Sequence, residues 1–270
     1  MNSVIAHISD IHFGAVDVAA ARRLADDINA RDVCGVIVTG DLTQAGRKRE
    51  FAEAAAYLRS FEAPILAVPG NHDVPVYNLG RRFIDPWSRY RRYIHQALCP
   101  EDVFGDIYVI GLNSARRAGP SLDWSLGRLS RSQIALARRA LEEAQSGLKI
   151  VALHHPVVPR PGRAGQAVID QPARALDAFS AGGADVVLTG HAHIAQTDIE
   201  TTEHGPLVIS SAGTASSTRT RGEGQSYNLL YWSDGSLIIE TLRFDGTKYA
   251  PNNSHSFERA AHGWRPQGDA

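Results

Sequence analysis

Five short apolar runs in this chain end in side chains that bind metals or move protons. Residues 4–8 run into Asp10 and His12, residues 33–38 into Asp41, and residues 65–68 into Asn71, His72 and Asp73. Residues 150–153 end at His154 and His155, and residues 185–188 at His191 and His193. One such cluster says little. An Asp after a strand commonly caps a helix, an Asn commonly serves a turn, and a lone His-x-His arises by chance. Their joint occurrence is informative, because ligands of open α/β sheets bind beyond the carboxyl ends of the strands. Imidazole, carboxylate and an amide carbonyl, without thiolate, suit zinc, iron, manganese or nickel and argue against a structural cysteine-type zinc site. The donors are too many for one tetrahedral ion and too rich in imidazole for magnesium or calcium. Two ions about 3.5–4 Å apart, sharing one carboxylate, would use the set, lower the pKa of a bridging water and fix a phosphoryl oxygen. Hydroxide would then attack phosphorus in line.

The apolar runs must be strands held in place by helices. Residues 18–30 place Leu24 and Ile28 among charges, and residues 50–61 are rich in Ala with Phe51, Leu58 and Phe61 on one side; both are helical patterns. Asp10, Asp41 and Asn71 recur at about 30 residues, the length of a βαβ unit. Ser130 and Gln133 form a capping-box signature that opens a helix to about Ala144, and residues 172–181 form another. Residues 107–112 read as a further strand. Residues 194–201, 207–210, 227–232 and 237–244 read as antiparallel strands, with Asp234-Gly235 as a hairpin signal. The expected architecture is α/β (α+β) in one catalytic domain over 1–248: parallel units first, antiparallel strands last, in two sheets packed face to face with helices outside. Residues 249–270 are polar with two prolines, which predicts a loosely ordered tail.

Composition narrows the function classes. A formal net charge of -1 in 270 residues argues against a binder of nucleic-acid polymers and against a polybasic membrane anchor. Two cysteines make no disulfide framework, and Cys34 reads as a small core residue. No apolar run reaches the roughly 18–20 residues of a membrane span, and no signal peptide is visible at the N-terminus. The expectation is a cytoplasmic protein.

In this order, Asp-x-His, Gly-Asp, Gly-Asn-His-Asp, His-His-Pro and Gly-His-x-His resemble the signature of the calcineurin-like metallophosphoesterase superfamily. Within it the chain looks most like the bacterial class III cyclic nucleotide phosphodiesterases and glycerophosphodiesterases. The motifs run from Asp10 to His193. The resemblance implies a four-layer αββα sandwich of two mixed sheets. It implies one metal held by Asp10, His12, Asp41 and His193, and a second by Asp41, Asn71, His154 and His191, with Asp41 bridging. It further implies that His72 is the catalytic histidine, stabilising or protonating the leaving oxygen, with Asp73 placed to orient it, and that His155 lines the pocket. The implied cofactors are two divalent or trivalent ions of manganese, iron or zinc, and the implied substrate is a small phosphodiester. A phosphomonoesterase or pyrophosphohydrolase on the same centre is the alternative. Histidine at position 72 argues against the lipid A pyrophosphohydrolases that carry arginine there.

Substrate choice falls to the loops. Arg116 and Arg117, Arg163, and Arg219 and Arg221 lie in Gly/Ser/Thr-rich stretches and are candidates for contacting phosphate. Residues 210–223 are the strongest contributor, since they follow a strand, and Arg219 and Arg221 are taken with His155 as substrate-binding candidates. Residues 77–93 interleave arginines with aromatics, broken near Pro86. A lid, a homodimer contact, a peripheral contact with an anionic lipid headgroup and a plain solvated helix are all open there. His95, His204, His255 and His262 have no supporting pattern and read as surface residues.

Overall fold

Alternation along the apolar runs assigns their faces, and both faces are covered. The computed structural model describes residues 3–117, 125–159, 169–220, 222–261 and 263–267. In chain order the first half contains β1 (Ser3–Ile8), α1 (Val18–Asn29), β2 (Gly35–Thr39), α2 (Lys48–Leu58) and β3 (Ile65–Val68). A 3₁₀ turn (Asn71–Asp73) follows, then α3 (Leu79–Ile84), α4 (Ser88–Tyr93), β4 (Glu101–Phe104) and β5 (Ile107–Leu112). Next come α5 (Arg131–Glu143), β6 (Leu148–Leu153), α6 (Pro172–Ala181) and β7 (Val186–Thr189). The chain closes with β8 (Gln196–Thr202), β9 (Gly205–Ser211), β10 (Ser226–Ser233), β11 (Ser236–Phe244), β12 (Tyr249–Ala260) and β13 (Gly263–Pro266).

Two mixed sheets result, in the orders β13-β12-β11-β10-β1-β2-β3 and β4-β5-β6-β7-β9-β8. Ile5, Ile37 and Val68 of the first sheet meet Val109, Ile150, Val186 and Leu188 of the second in the inter-sheet core. The alternate residues face outward. Ala6, Ile8, Val36 and Val38 pack under Leu24, Ile28, Phe51 and Leu58 of α1 and α2. Val151, Leu153 and Val187 pack under Ile134, Leu141 and Phe179 of α5 and α6. Continuous apolar runs are what strands buried on both faces require, and the expected αββα layering is the observed one. Asp17 caps α1 by accepting from the amides of Ala19 and Ala20, and the Ser130/Gln133 capping box opens α5 as its sequence predicts.

One expectation needs correction, and one strand has no counterpart among the expected elements. The segment after residue 248 is not a loose tail: β12 pairs along nearly the whole of β11, and β13 turns back on β12. Its polar residues are those of an exposed sheet face, while Tyr249, Phe257 and Trp264 are buried. Pro251 is tolerated because the register shifts beside it, between Thr241 and Leu242 of β11. The strand without a counterpart is β4, an edge strand antiparallel to β5 whose Glu-Asp-Val-Phe sequence hides it. No helix among the described residues is long and apolar enough to cross a membrane.

His7 of β1 is fully buried, its Nε2 2.9 Å from Thr39 Oγ1, and burial depresses its pKa to about 3 despite the nearby Asp10 charge. The unfolded chain, with a value near 6.5, binds the proton first, so stability falls as pH drops below 6.5. The slope contributed is about 1.4 kcal/mol per pH unit. Denaturant unfolding of chelated protein between neutral and acid pH should show a shallower loss in His7→Leu than in wild type.

Candidate metal centre

The carboxyl ends of β1, β2 and β3 in one sheet meet those of β6 and β7 in the other. Asp10 Oδ1 lies 3.2 Å from His193 Nε2 and 3.6 Å from His12 Nε2, and the two imidazole nitrogens are 3.3 Å apart. Asp41 Oδ2 lies 3.7 Å from His12 Nε2 and 3.3 Å from His154 Nε2. Around His154 Nε2 gather Asn71 Oδ1 at 3.1 Å and His191 Nδ1 at 3.3 Å. All seven candidate ligands are therefore together, in two groups that meet at Asp41. The spacing fits metal ligands: donors each about 2.1 Å from a tetrahedral ion sit roughly 3.4 Å from one another. Asp10 Oδ1 is buried without a hydrogen-bond partner among the described residues, as a carboxylate oxygen reserved for a cation would be.

The surrounding backbone fixes which atoms face inward. His154 Nδ1 is 2.7 Å from the Thr39 carbonyl and His193 Nδ1 is 2.7 Å from the Arg219 carbonyl. Each carbonyl accepts an N–H, which leaves the Nε2 lone pair for the centre. Asp10 Oδ2 accepts from Ser9 Oγ and from the His191 amide, and Asp41 Oδ1 accepts from the His72 amide. Five of the seven described non-glycine residues with positive φ are Asp10, His12, Asp41, His191 and His193, at φ between 50 and 67. The glycines of the motifs are close approaches. A Cβ on Gly70 would lie 2.2 Å from Asp41 Oδ1, and one on Gly190 would lie 1.9 Å from Ser9 Oγ.

Charge supports the same reading. Burial works against the Asp10 carboxylate, but His193 and His12 outweigh it and hold the group well below the usual carboxylate range. Asp41 is held low in the same way by His154 and His72. Burial opposes protonation of His154, yet Asp41 raises it to about 9. His191 goes the other way, to about 4, through burial and the charge on His154. Two adjacent buried carboxylates are stable only with positive charge between them, so the site favours cations.

The other candidates divide. His72 stands beside the centre, its ring 4.9 Å from that of His12, and its Nδ1 is 2.7 Å from the Gln44 carbonyl. Asp73 does not orient it. Both Asp73 oxygens serve the backbone instead, accepting from the amides of Gly70, Leu42 and Thr43 and from Thr43 Oγ1. The third position of the 3₁₀ turn points this carboxylate back toward Gly70 and the loop after β2. Burial and the Asp41 charge push its carboxyl up to about 6, against the donors that favour the charged form. Asp73→Ala should strand those buried donors and lower stability by about 3 kcal/mol or more, measured by denaturant unfolding, while the pH profile of residual activity keeps its shape.

Arg219 lies beside His72, with Nη1 3.4 Å from His72 Nε2. Arg221, Arg163 and His262 lie outside the described residues. His155 is buried between His154 and His191, its Nδ1 2.8 Å from Ser114 Oγ and its Nε2 unpartnered among the described residues. Arg116 donates to the Gly127 carbonyl. Gln44, Thr39 and Ser114 act through backbone atoms or a small hydroxyl, and no residue-type pattern marks them.

The calcineurin-like phosphoesterase family model matches residues 3–195. A probable glycerophosphodiester phosphodiesterase GpdQ from Arcobacter nitrofigilis is 29% identical over 123 residues, covering 46% of this chain and 42% of that protein. A glycerophosphodiester phosphodiesterase GpdQ from Enterobacter lignolyticus is 35% identical over 83 residues, or 26% of this chain and 29% of that protein. The chain thus matches less than half the length of these two relatives. A probable cyclic nucleotide phosphodiesterase from Vesicomyosocius okutanii is 24% identical over 253 residues, covering 89% of this chain and 99% of that protein. Among solved structures, PhoD superposes with a TM-score of 0.72 at 12% identity, covering all of this chain and 72% of that one, a likeness of fold alone. The family match takes in all five clusters. The chain belongs to the calcineurin-like phosphoesterase family, whose members are hydrolases of phosphoric esters.

Proposed function

We propose that this chain is a dinuclear metal-dependent phosphodiesterase acting on small diesters of the cyclic nucleotide or glycerophosphodiester class. One observation carries the reading: Asp41 Oδ2 stands between His12 Nε2 and His154 Nε2, so a single carboxylate joins two groups of donors. Asp10, His12, Asp41 and His193 would hold one ion, and Asp41, Asn71, His154 and His191 the other. Manganese, iron and zinc all suit this donor set. When bound, two such ions supply Lewis acidity toward a phosphoryl oxygen and an activated water.

The chain's own groups do the rest. Arg219 offers its guanidinium to a non-bridging phosphate oxygen beside His72. His72, its Nδ1 proton held by the Gln44 carbonyl, presents Nε2 toward the same space, where it would carry a proton to the leaving oxygen. His155 lines the pocket, and its unpartnered Nε2 is available to the substrate. Diester chemistry is favoured over monoester chemistry by the names of the three relatives, all phosphodiesterases.

The test compares bis(p-nitrophenyl) phosphate with p-nitrophenyl phosphate after adding manganese, iron or zinc to chelated protein. Diester turnover is expected to dominate. Much faster monoester turnover would move the assignment to a phosphomonoesterase, whereas dominant diester turnover leads to a product-resolved screen of cyclic nucleotides against glycerophosphodiesters, which chooses between the two diester classes.

A further inference from the structure

Residues 77–93 have work to do beyond holding the fold. Their inward side chains bolt them down. Arg82 is fully buried and donates to the carbonyls of Pro75 and Arg117, and the buried Tyr90 donates its hydroxyl to the Ala67 carbonyl. The outward apolar side chains are left largely in water. Tyr77, Leu79, Phe83 and Ile84 are 76%, 52%, 49% and 86% exposed, and they make up half of the exposed large apolar residues among those described. Beside them is a cavity of about 340 Å³ lined by Lys48, Arg81, Ser88, Arg89, Arg92 and Tyr93. None of its four cations has a carboxylate within 4.0 Å among the described residues. Lys48, Arg81 and Arg92 are exposed, so the cluster presents a local positive field to an anionic partner.

We propose that this face, formed by α3, α4 and the first turn of α2, docks on an anionic phospholipid surface. Charge complementarity and apolar exposure select that occupant together. A soluble anion would satisfy the cations and leave the apolar side chains in water. A nucleic-acid polymer would do the same, and a net charge of -1 gives it no wider basic surface to follow. A membrane with acidic headgroups meets both, the arginines at the headgroup level and the apolar side chains at the acyl boundary. The face is also tied to the centre. Arg89 Nη1 donates to the Gly46 carbonyl and Arg47 sits over the Tyr77 ring, in the loop whose Gln44 carbonyl holds His72. Docking would therefore place the metal centre close to the lipid interface, whatever diester it hydrolyses.

The experiment is co-sedimentation of the intact protein with vesicles of phosphatidylcholine alone and of phosphatidylcholine mixed with phosphatidylglycerol. The protein is expected to pellet with the mixed vesicles only, and less so as salt rises. Lys48→Gln/Arg81→Gln/Arg92→Gln should weaken partitioning by about 10²-fold, and Phe83→Ser/Ile84→Ser by about tenfold. Both variants should hydrolyse soluble bis(p-nitrophenyl) phosphate in solution at the wild-type rate. Equal pelleting with neutral vesicles, or no effect of either variant, would overturn the proposal. So would a wild-type dimer in light scattering that Phe83→Ser/Ile84→Ser dissolves, which would assign the face to a second copy. Saturable binding of inorganic phosphate at Lys48, Arg81 and Arg92 without vesicle binding would assign it to a soluble anion.

Discussion

Asp41→Ala is expected to lose both ions on dialysis and, with them, at least about 10²–10³-fold in activity. Among the described residues, Asp41 Oδ2 stands 3.7 Å from His12 Nε2 and 3.3 Å from His154 Nε2, so one oxygen serves both groups of donors. Removing it also strands the His72 amide, which donates to Asp41 Oδ1. It also takes away the carboxylate oxygen that stands 3.3 Å from His154 Nε2. Metal content by inductively coupled plasma analysis decides the matter. Two ions retained at full occupancy would show that Asp41 does not join the groups.

His72→Ala should behave in the opposite way, keeping both ions and losing roughly 10²–10⁴-fold in turnover, the range for a general acid–base group. Its ring touches the centre only edge-on to His12, and its Nδ1 is committed to the Gln44 carbonyl. Substrates with better leaving groups should suffer less, because a leaving oxygen of low basicity needs little proton donation. Loss of metal in His72→Ala would make this residue a ligand and overturn the division of roles.

Most of the cluster was legible in the residues, because all seven candidates are of types that can bind a metal and all follow strand ends. All seven candidates converge, and so do the layers, since a strand buried on both faces has to be apolar throughout. What was hidden depends on backbone. The carbonyls of Thr39, Gln44 and Arg219 position imidazoles, yet a carbonyl belongs to every residue. Asp73 misled for a related reason: the resemblance implied that it orients His72, but the 3₁₀ turn sends neighbouring side chains in different directions. Tyr249, Phe257 and Trp264 are spaced too widely within a polar stretch for residues 249–266 to read as sheet.

The left-handed backbone at Asp10, His12, Asp41, His191 and His193 bears on how this protein divides robustness from competence. Each such residue costs roughly 1–2 kcal/mol relative to an ordinary conformation. That cost is carried by the fold, which offsets it elsewhere, and it brings these five residues to one site. Gly at Asp10 or Asp41 would relieve the backbone but strand the His191 and His72 amides, so the same two side chains carry both the strain and the hydrogen bonds that repay part of it.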